Sequence, residues 1–304
     1  MHIFHEKKPT RIHLSEPTEE QLHEVVDKYD LHTIVEDDLL SGIIQDKVDS
    51  YDEQLFLVTH FPKYDSGNDK YDANSLFVLI TKNTIITICK SPISKLQILF
   101  DLYIEGKTDQ EDLLETSPYY ILYKIIDVMY DKTLVSLNKF NKEIQVLEQD
   151  LFNRTKLNSK ILSDLLVKRR NIVFLTHMLS PQGEILGELH TAVLKILNED
   201  GDVYFEDLQY KFDKIMHTIQ AVSENTHSLS STYNALANIQ TNAVISLLTV
   251  FTASIGILAM ITWLYGMNVT LPWQDSPYMF FVIIAVMIII FFGWLYMGKK
   301  KERR

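Results

Sequence analysis

A single cysteine, Cys89, stands in a chain of 304 residues, so no intrachain disulfide can form. It ends the apolar run Thr84 to Cys89, where a thiol reads as a buried structural group. The opening residues, Met1 to Lys7, contain no apolar core of a secretory signal, so the N-terminal part is expected to stay on the side where it is made. No proline or glycine falls between Asp202 and Gly256. No charge falls in Ala243 to Tyr265 or in Tyr278 to Met297. The net charge of −11 argues against a nucleic-acid partner. No catalytic dyad, nucleotide-cradling loop or hydrolytic motif is present, so neither enzymatic chemistry nor coupling to ATP is expected.

The two uncharged runs each reach the length of about 20 apolar residues that a helix needs to cross a bilayer. They are joined by a short loop, Gly266 to Pro277, that carries no lysine or arginine and one acid, Asp275. The tail Lys299-Lys300-Lys301-Glu302-Arg303-Arg304 is basic. The positive-inside bias puts that tail in the cytoplasm, the loop outside, and the large N-terminal part inside. Both termini are therefore expected to be cytoplasmic, in a multi-pass protein of the plasma (inner) membrane.

Before the membrane, the first hundred residues alternate strand-like and helix-like segments. Leu55 to His60, Leu76 to Ile80 and Thr84 to Cys89 are short β-branched and aromatic runs, and Ser66-Gly67-Asn68-Asp69 is a turn. Thr18 followed by Gln21 forms a capping box that opens a helix through Tyr29. These signals predict an α/β domain whose sheet has at least three strands, mostly antiparallel. From Leu113 strand patterns cease. Ser117-Pro118 opens a long helix to Leu151, a second runs from Ser159 to Leu179, Pro181 breaks it, and helix resumes through Leu197. The expected division is a cytoplasmic α/β domain over 1–112, a cytoplasmic helical region over 113–202, a stalk with the first transmembrane helix over 203–265, an outer loop over 266–277, the second transmembrane helix over 278–297 and the basic tail over 298–304. The fold class is α+β with a membrane portion.

Leu208, Phe212, Ile215, Ile219, Val222, Thr226, Leu229, Tyr233, Leu236 and Gln240 follow one another at 4,3 spacing, the pattern of a coiled-coil seam. One uninterrupted helix of about 60 residues is predicted to run from the cytoplasm through the bilayer, about 90 Å at 1.5 Å per residue. A seam on a helix that enters the membrane implies self-association about an axis. Thr226 and Gln240 fit either polar register-setting positions or a wet channel. The same spacing continued gives a stripe of Asn242, Ile245, Thr249, Thr252, Gly256, Ala259 and Trp263, bordered by Leu248. Small and hydroxyl residues in such a stripe serve close helix packing or a path for water and ions. The second run is apolar nearly all round, which places it outside a ring of first crossings.

Tyr265-Gly266-Met267-Asn268 at the end of the first of two terminal crossings resembles the signature of the CorA-type divalent-cation transporters. Leu31 to Asp37, Tyr51 to Pro62, Tyr204 to Asp207 and the tail Lys299 to Arg304 are similar to stretches of the same family. The resemblance implies a funnel-shaped homopentamer with an α/β/α cytoplasmic domain and a stalk helix continuous with the pore helix. It implies Mg²⁺ as substrate, with Co²⁺ and Ni²⁺ also admitted, and Mg²⁺ as regulatory ligand. By the same resemblance Gly266, Met267 and Asn268 form the selectivity mouth. Asn242 stands at the inner end of the pore, Ile245 and Leu248 form a hydrophobic gate, and Asp207 belongs to an inter-subunit regulatory metal site, with Asp46, Asp49 and Asp52 as candidate partners. A ring of amide oxygens suits an ion that sheds its waters reluctantly, because it holds the hydrated ion without stripping it.

The chain departs from the family at Gly256 and Ala259, where a large apolar residue and a hydroxyl are common, and in the loop Val269 to Asp275. Two alternatives accompany the Mg²⁺ channel. One is a Zn²⁺ transporter of the same fold, disfavoured by the lack of His or Cys on the stripe. The other is a membrane-tethered coiled-coil adaptor. Membrane lipid, divalent ions and further copies of the chain are the expected partners.

Overall fold

The protein is described as a computed structural model covering residues 2–4, 10–41, 45–51, 54–81, 83–104, 117–153, 159–197, 202–267 and 276–302. It divides into two compact units, Met1–Leu229 and Ser230–Arg304.

The first unit is built on a six-stranded sheet of order β1-β2-β6-β5-β4-β3, made of β1 (His2–Phe4), β2 (Thr10–Ser15), β3 (Lys47–Tyr51), β4 (Gln54–Asp65), β5 (Lys70–Thr81) and β6 (Thr84–Cys89). All three sequence-expected strands form, and the antiparallel expectation holds except where β2 lies parallel to β6. The β4–β5 hairpin closes on the expected turn. Asp65 accepts from the Gly67 N–H at 2.9 Å and from the Asn68 amide at 2.7 Å, and Asp69 adopts the left-handed region at φ 46°. Acidic and amide side chains that hydrogen-bond their own backbone tolerate that conformation.

The central strands are buried on both faces, as continuous runs of β-branched and aromatic residues require. One face is covered by α1 (Glu19–Lys28) and α2 (Thr33–Ser41), whose Leu22, Val25, Val35 and Leu39 pack with Phe56, Val58, Phe77 and Ile86. The capping box at the start of α1 forms as its sequence predicts: Gln21 N–H donates to Thr18 Oγ1, and Thr18 N–H to the Gln21 side chain. The other face meets α3 (Ser94–Ile104) and α4 (Pro118–Asn153). There Phe100 stacks on His13 at 4.6 Å, Tyr130 meets Phe61 at 6.0 Å and Phe140 meets Tyr71 at 5.9 Å.

Helices α5 (Ser159–Leu179) and α6 (Gln182–Leu197) start and stop where the sequence places them. Lys168 occupies a core position of α5, between Leu165 and Ile172, and is only 7% exposed. Its ammonium donates to Glu143 at 2.7 Å and Asp69 at 3.1 Å and stands 5.5 Å over the Phe140 ring. A buried ammonium survives only when its charge is matched. Burial pulls the Lys168 pKa down, and the hydrogen bonds it donates to Glu143 and Asp69, with their charges, more than reverse this, so it stays charged. Asn171 adds a bond to the Asp69 carbonyl at 2.9 Å, so α5 clamps the tip of the β4–β5 hairpin.

The next helix, α7 (Asp202–Tyr265), is a single element of 64 residues. It starts at Asp202, one residue before the predicted stalk. Its repeat from Leu208 to Leu229 is buried, and within the chain it is covered by the chain's own helices. Tyr130 on α4 meets Phe212 at 6.2 Å, and Tyr119 on α4 meets Phe205 at 5.3 Å. Thr226 is fully buried and donates to the Val222 carbonyl at 2.7 Å, which satisfies its hydroxyl inside the helix. Beyond Leu229 the seam fades: Tyr233 and Leu236 are half-buried and Gln240 is exposed.

Gly183 makes that packing possible, because a Cβ there would stand 2.8 Å from the Phe212 ring. Phe212 is 6% exposed and backed by Tyr130, so the ring has little room to retreat. Gly183→Ala is expected to destabilise the first unit by about 1–2 kcal/mol through overpacking. Thermal denaturation of the purified protein checks this; an unchanged or raised Tm would place the slack in Phe212.

Candidate ion-pathway helix

The second unit consists of the remainder of α7 and α8 (Met279–Glu302). Among the described residues α7 is long and apolar enough to cross a bilayer, and α8 is apolar from Met279 to Trp294. Phe251 on α7 meets Phe291 on α8 edge to face at 6.5 Å. Ser254, one turn on, is fully buried, with its hydroxyl given to the Val250 carbonyl at 2.8 Å. A small residue there lets two helices approach closely.

The stripe read from the sequence points the other way. At about 100° per residue, Ile245 and Trp263 stand about 180° around α7 from Ser254, with Thr249, Thr252, Gly256 and Ala259 within about 40° of that direction and Asn242 and Leu248 about 60° from it. Ile245 is 54% exposed and Leu248 62% exposed, Asn242, Thr249, Thr252 and Gly256 are exposed, and Ala259 is half-buried. A Cβ on Gly256 would meet nothing within 4 Å. The face bearing these residues is thus uncovered by its own chain.

Two hydroxyls on it have a fixed polarity. Thr249 Oγ1 donates to the Ile245 carbonyl and Thr252 Oγ1 to the Leu248 carbonyl, each at 2.8 Å. With its hydrogen turned back into the helix, each oxygen presents lone pairs outward. Such a surface accepts hydrogen bonds from the waters of a cation. The helix closes at Gly266, whose N–H donates to the carbonyls of Thr262 and Trp263 at 3.0 and 3.1 Å. A Cβ there would stand 3.3 Å from the Thr262 carbonyl, so the glycine suits the tight end. Met267 is exposed; Asn268, read as the mouth residue, and the loop acid Asp275 lie outside the described residues.

Asp207 lies in the first unit, half-buried near the start of α7. Tyr123 on α4 donates its hydroxyl to Asp207 Oδ2 at 2.8 Å. Burial first, and then this bond, push the Tyr123 pKa upward, so the phenol stays protonated and donating. One turn along, Lys211 pairs with Asp127 and, at 3.0 Å, with Asp131. The structure brings neither described candidate partner of Asp207 to it within the chain: Asp46 pairs with His60 and Asp49 with Lys47 at 2.7 Å, while Asp52 lies outside the described residues. Among the described residues no group of three His, Cys, Asp or Glu side chains could hold a metal ion. Asp207 therefore offers one carboxylate with one oxygen already bonded. That fits Mg²⁺, which keeps most of its waters and takes one or two carboxylates.

The chain thus joins a sheet domain packed with helices to one unbroken helix whose outer part is apolar and carries acceptor oxygens on one face. The CorA-like Mg²⁺ transporter family model matches residues 7–300, and the chain belongs to that family of divalent-cation transporters. It is 25% identical over 276 residues to the cobalt/magnesium transport protein CorA of Thermotoga maritima, covering 90% of this chain and 77% of that protein. It is 23% identical over 291 residues to the cobalt/magnesium transport protein CorA of Methanocaldococcus jannaschii, covering 94% and 88%. The complete structure of the M. jannaschii CorA magnesium transporter shares the fold at TM-score 0.80 and 21% identity, over 97% of this chain and 91% of that one. The ZntB cytoplasmic domain of Vibrio parahaemolyticus shares the fold at TM-score 0.62 and 12% identity, over 76% of this chain and 89% of that one. Family membership overturns the adaptor alternative.

The exposure pattern can be read with thiol chemistry, because the native background is silent. Cys89 is fully buried and burial raises its pKa to about 12, so it forms little thiolate. In the assembled protein, cysteines at Thr249, Thr252 and Gly256 are expected to react with a small water-soluble thiol reagent, and cysteines at Val250 and Ser254 to resist it. Equal labelling on both faces would show that the stripe is not wetted.

Proposed function

We propose that the protein is a homopentameric channel that passes hydrated Mg²⁺, and also Co²⁺ or Ni²⁺, into the cell down its electrochemical gradient, and that cytoplasmic Mg²⁺ gates it. The observation that carries this reading is the acceptor-bearing stripe of α7, turned away from α8 and uncovered by its own chain. Five such stripes around an axis would line a narrow path with lone pairs and small residues. Ile245 and Leu248 would narrow that path to an apolar ring that closes by dewetting. Asn268 would hold the hydrated ion at the outer mouth through its amide oxygen, beside Gly266 and Met267, with Asn242 at the inner end. Both termini would then be cytoplasmic, in the plasma (inner) membrane.

The choice of ion is supported by the same surface. Oxygen acceptors on Thr249 and Thr252 with no imidazole or thiolate among the stripe residues favour hard, hydrated cations over Zn²⁺. Both relatives above are named as cobalt/magnesium transport proteins. Gating would act at Asp207. A divalent ion bound between its carboxylate and a neighbouring copy supplies positive charge that holds acidic surfaces together. A ligand shifts such an equilibrium only by its differential affinity for the two states, and a site spanning an interface provides that difference.

The deciding experiment is ion uptake by proteoliposomes containing the purified protein. Mg²⁺ uptake blocked by cobalt hexaammine is expected; Zn²⁺ uptake without Mg²⁺ uptake would move the reading to the Zn²⁺ alternative. Asn268→Ala is expected to abolish Mg²⁺ uptake by an assembled protein, and normal flux through it would remove the mouth role.

Leu248→Gly is expected to raise basal flux severalfold, since removing an apolar ring lets water fill the constriction. The glycine itself costs about 1 kcal/mol in a helix interior, so assembly is checked by size-exclusion chromatography. An assembled variant with unchanged basal flux would place the gate elsewhere.

A further inference from the structure

We propose that Tyr123 is a positioning residue for Asp207, holding one carboxylate oxygen so that the other is presented to a hydrated divalent cation. The inference rests on the reading of Asp207 as the regulatory contact and adds a residue that the sequence reading did not single out.

The hydrogen bond spans 84 positions of sequence and joins two helices. Tyr123 is 9% exposed and its ring is confined, 4.9 Å from Tyr204 and 5.8 Å from Tyr120, with the Lys124 ammonium 5.1 Å from its centre. A ring so packed cannot swing its hydroxyl away from Asp207 without moving both helices. Four residues on from each partner, Asp127 on α4 meets Lys211 on α7, and Lys211 also reaches Asp131. The two helices thus run parallel here and share a ladder of polar rungs, the lower one a phenol–carboxylate bond and the upper one ionic. Lys211 is engaged by two carboxylates, so the Asp207 charge is steadied by a neutral donor and stays available to a cation.

The chemistry requires such a device. A cation that keeps its waters touches the carboxylate through them, and a freely rotating carboxylate would lose rotamer entropy on each binding event. Partners that hydrogen-bond a ligating carboxylate fix its direction, and their loss typically weakens binding about 10–100-fold. Tyr123 also ties Asp207 to α4, so a cation at Asp207 would sense the register of α7 against α4.

The test uses the full-length protein and Mg²⁺ alone, reading protection from limited proteolysis against Mg²⁺ concentration. Tyr123→Phe keeps the ring and loses only the hydroxyl, and its protection midpoint is expected to rise about 10–100-fold. Tyr120→Phe, in the same ring cluster, is expected to keep the wild-type midpoint. Asp207→Asn is expected to lose the Mg²⁺-dependent protection. If Asp207→Asn removes protection while Tyr123→Phe keeps the wild-type midpoint, Tyr123 has no positioning role and the regulatory reading stands. If Asp207→Asn protects normally, the regulatory reading falls and this inference falls with it. A Tyr123→Phe protein that melts lower in chelator yet keeps its midpoint shows a merely structural hydroxyl and overturns the proposal. Should Tyr123→Phe fail to assemble, Asp207→Glu retains the charge but shifts the carboxylate off the hydroxyl; a raised midpoint supports the proposal and an unshifted one overturns it.

Discussion

Inside hydrocarbon each backbone N–H and C=O must be satisfied within its own segment, and an unmade bond costs several kcal/mol. That constraint fits the unbroken helix of α7 through its uncharged run Ala243 to Tyr265, and the lack of proline or glycine from Asp202 to Gly256 lets the same helix continue below it. It also explains how polar side chains are tolerated above Leu229. Thr249, Thr252, Ser254 and Thr262 each return their hydroxyl hydrogen to a carbonyl three or four residues earlier, so none leaves a donor unmet. The helix spends its donors internally and keeps acceptors. On the stripe, Thr249 and Thr252 are left with oxygen lone pairs turned outward, a surface that suits the waters around a cation.

The same helix obeys a different rule lower down. From Leu208 to Leu229 its apolar repeat is buried by the chain's own helices, and the polar contacts beside the repeat are paired. One sequence pattern therefore has two meanings along one helix. Below, it marks a helix–helix seam within a chain. Above, the corresponding positions are uncovered and carry threonine, glycine and alanine. Close Gly183–Phe212 packing makes the lower seam rigid, while Gly256 on the upper stripe meets open space and is free of any packing requirement within its chain. Conservation of volume constrains the first glycine; only what surrounds the assembled chains can constrain the second.

How far the sequence foretold this depended on whether a signal was local. The capping box at Thr18 and Gln21, the hairpin turn at Ser66 to Asp69, the limits of α5 and the continuity of α7 were legible, because each rests on residues within one or two turns of one another. The strands β2 and β3 were not. Thr10–Ser15 contains Arg11 and His13, which read as solvent-facing, yet His13 is 2% exposed, hydrogen-bonded to Thr87 at 2.8 Å and stacked on Phe100. Those partners lie more than 70 residues away, and no pattern inside six residues reveals them. Lys168 misleads in the same way, standing in a core stripe only because Glu143 and Asp69 arrive to match its charge. The 4,3 repeat of α7 stated truly that a face is buried but could not state by what. The mouth role proposed for Asn268 rests on the motif alone.

Tyr123 shows why the less legible part matters for function. In sequence it is one of three tyrosines, Tyr119, Tyr120 and Tyr123, at the start of a long helix, and bulk alone explains all three as packing. In the fold they separate by what their rings meet. Tyr119 stacks on Phe205 at 5.3 Å, Tyr120 lies edge-on to Tyr204 at 5.3 Å, and Tyr123 donates its hydroxyl to the Asp207 carboxylate. A phenol costs little to bury when it has an acceptor, and a half-buried carboxylate is steadied when it has a donor, so each solves the other's desolvation problem. That mutual dependence has a consequence for any cation at Asp207. An ion there would share a carboxylate that already contributes to the α4–α7 contact, so its binding would not be energetically separate from how those two helices sit together. A regulatory ligand placed on an isolated surface acid would have to create its own coupling; here the coupling is part of the hydrogen bond that holds the acid in place.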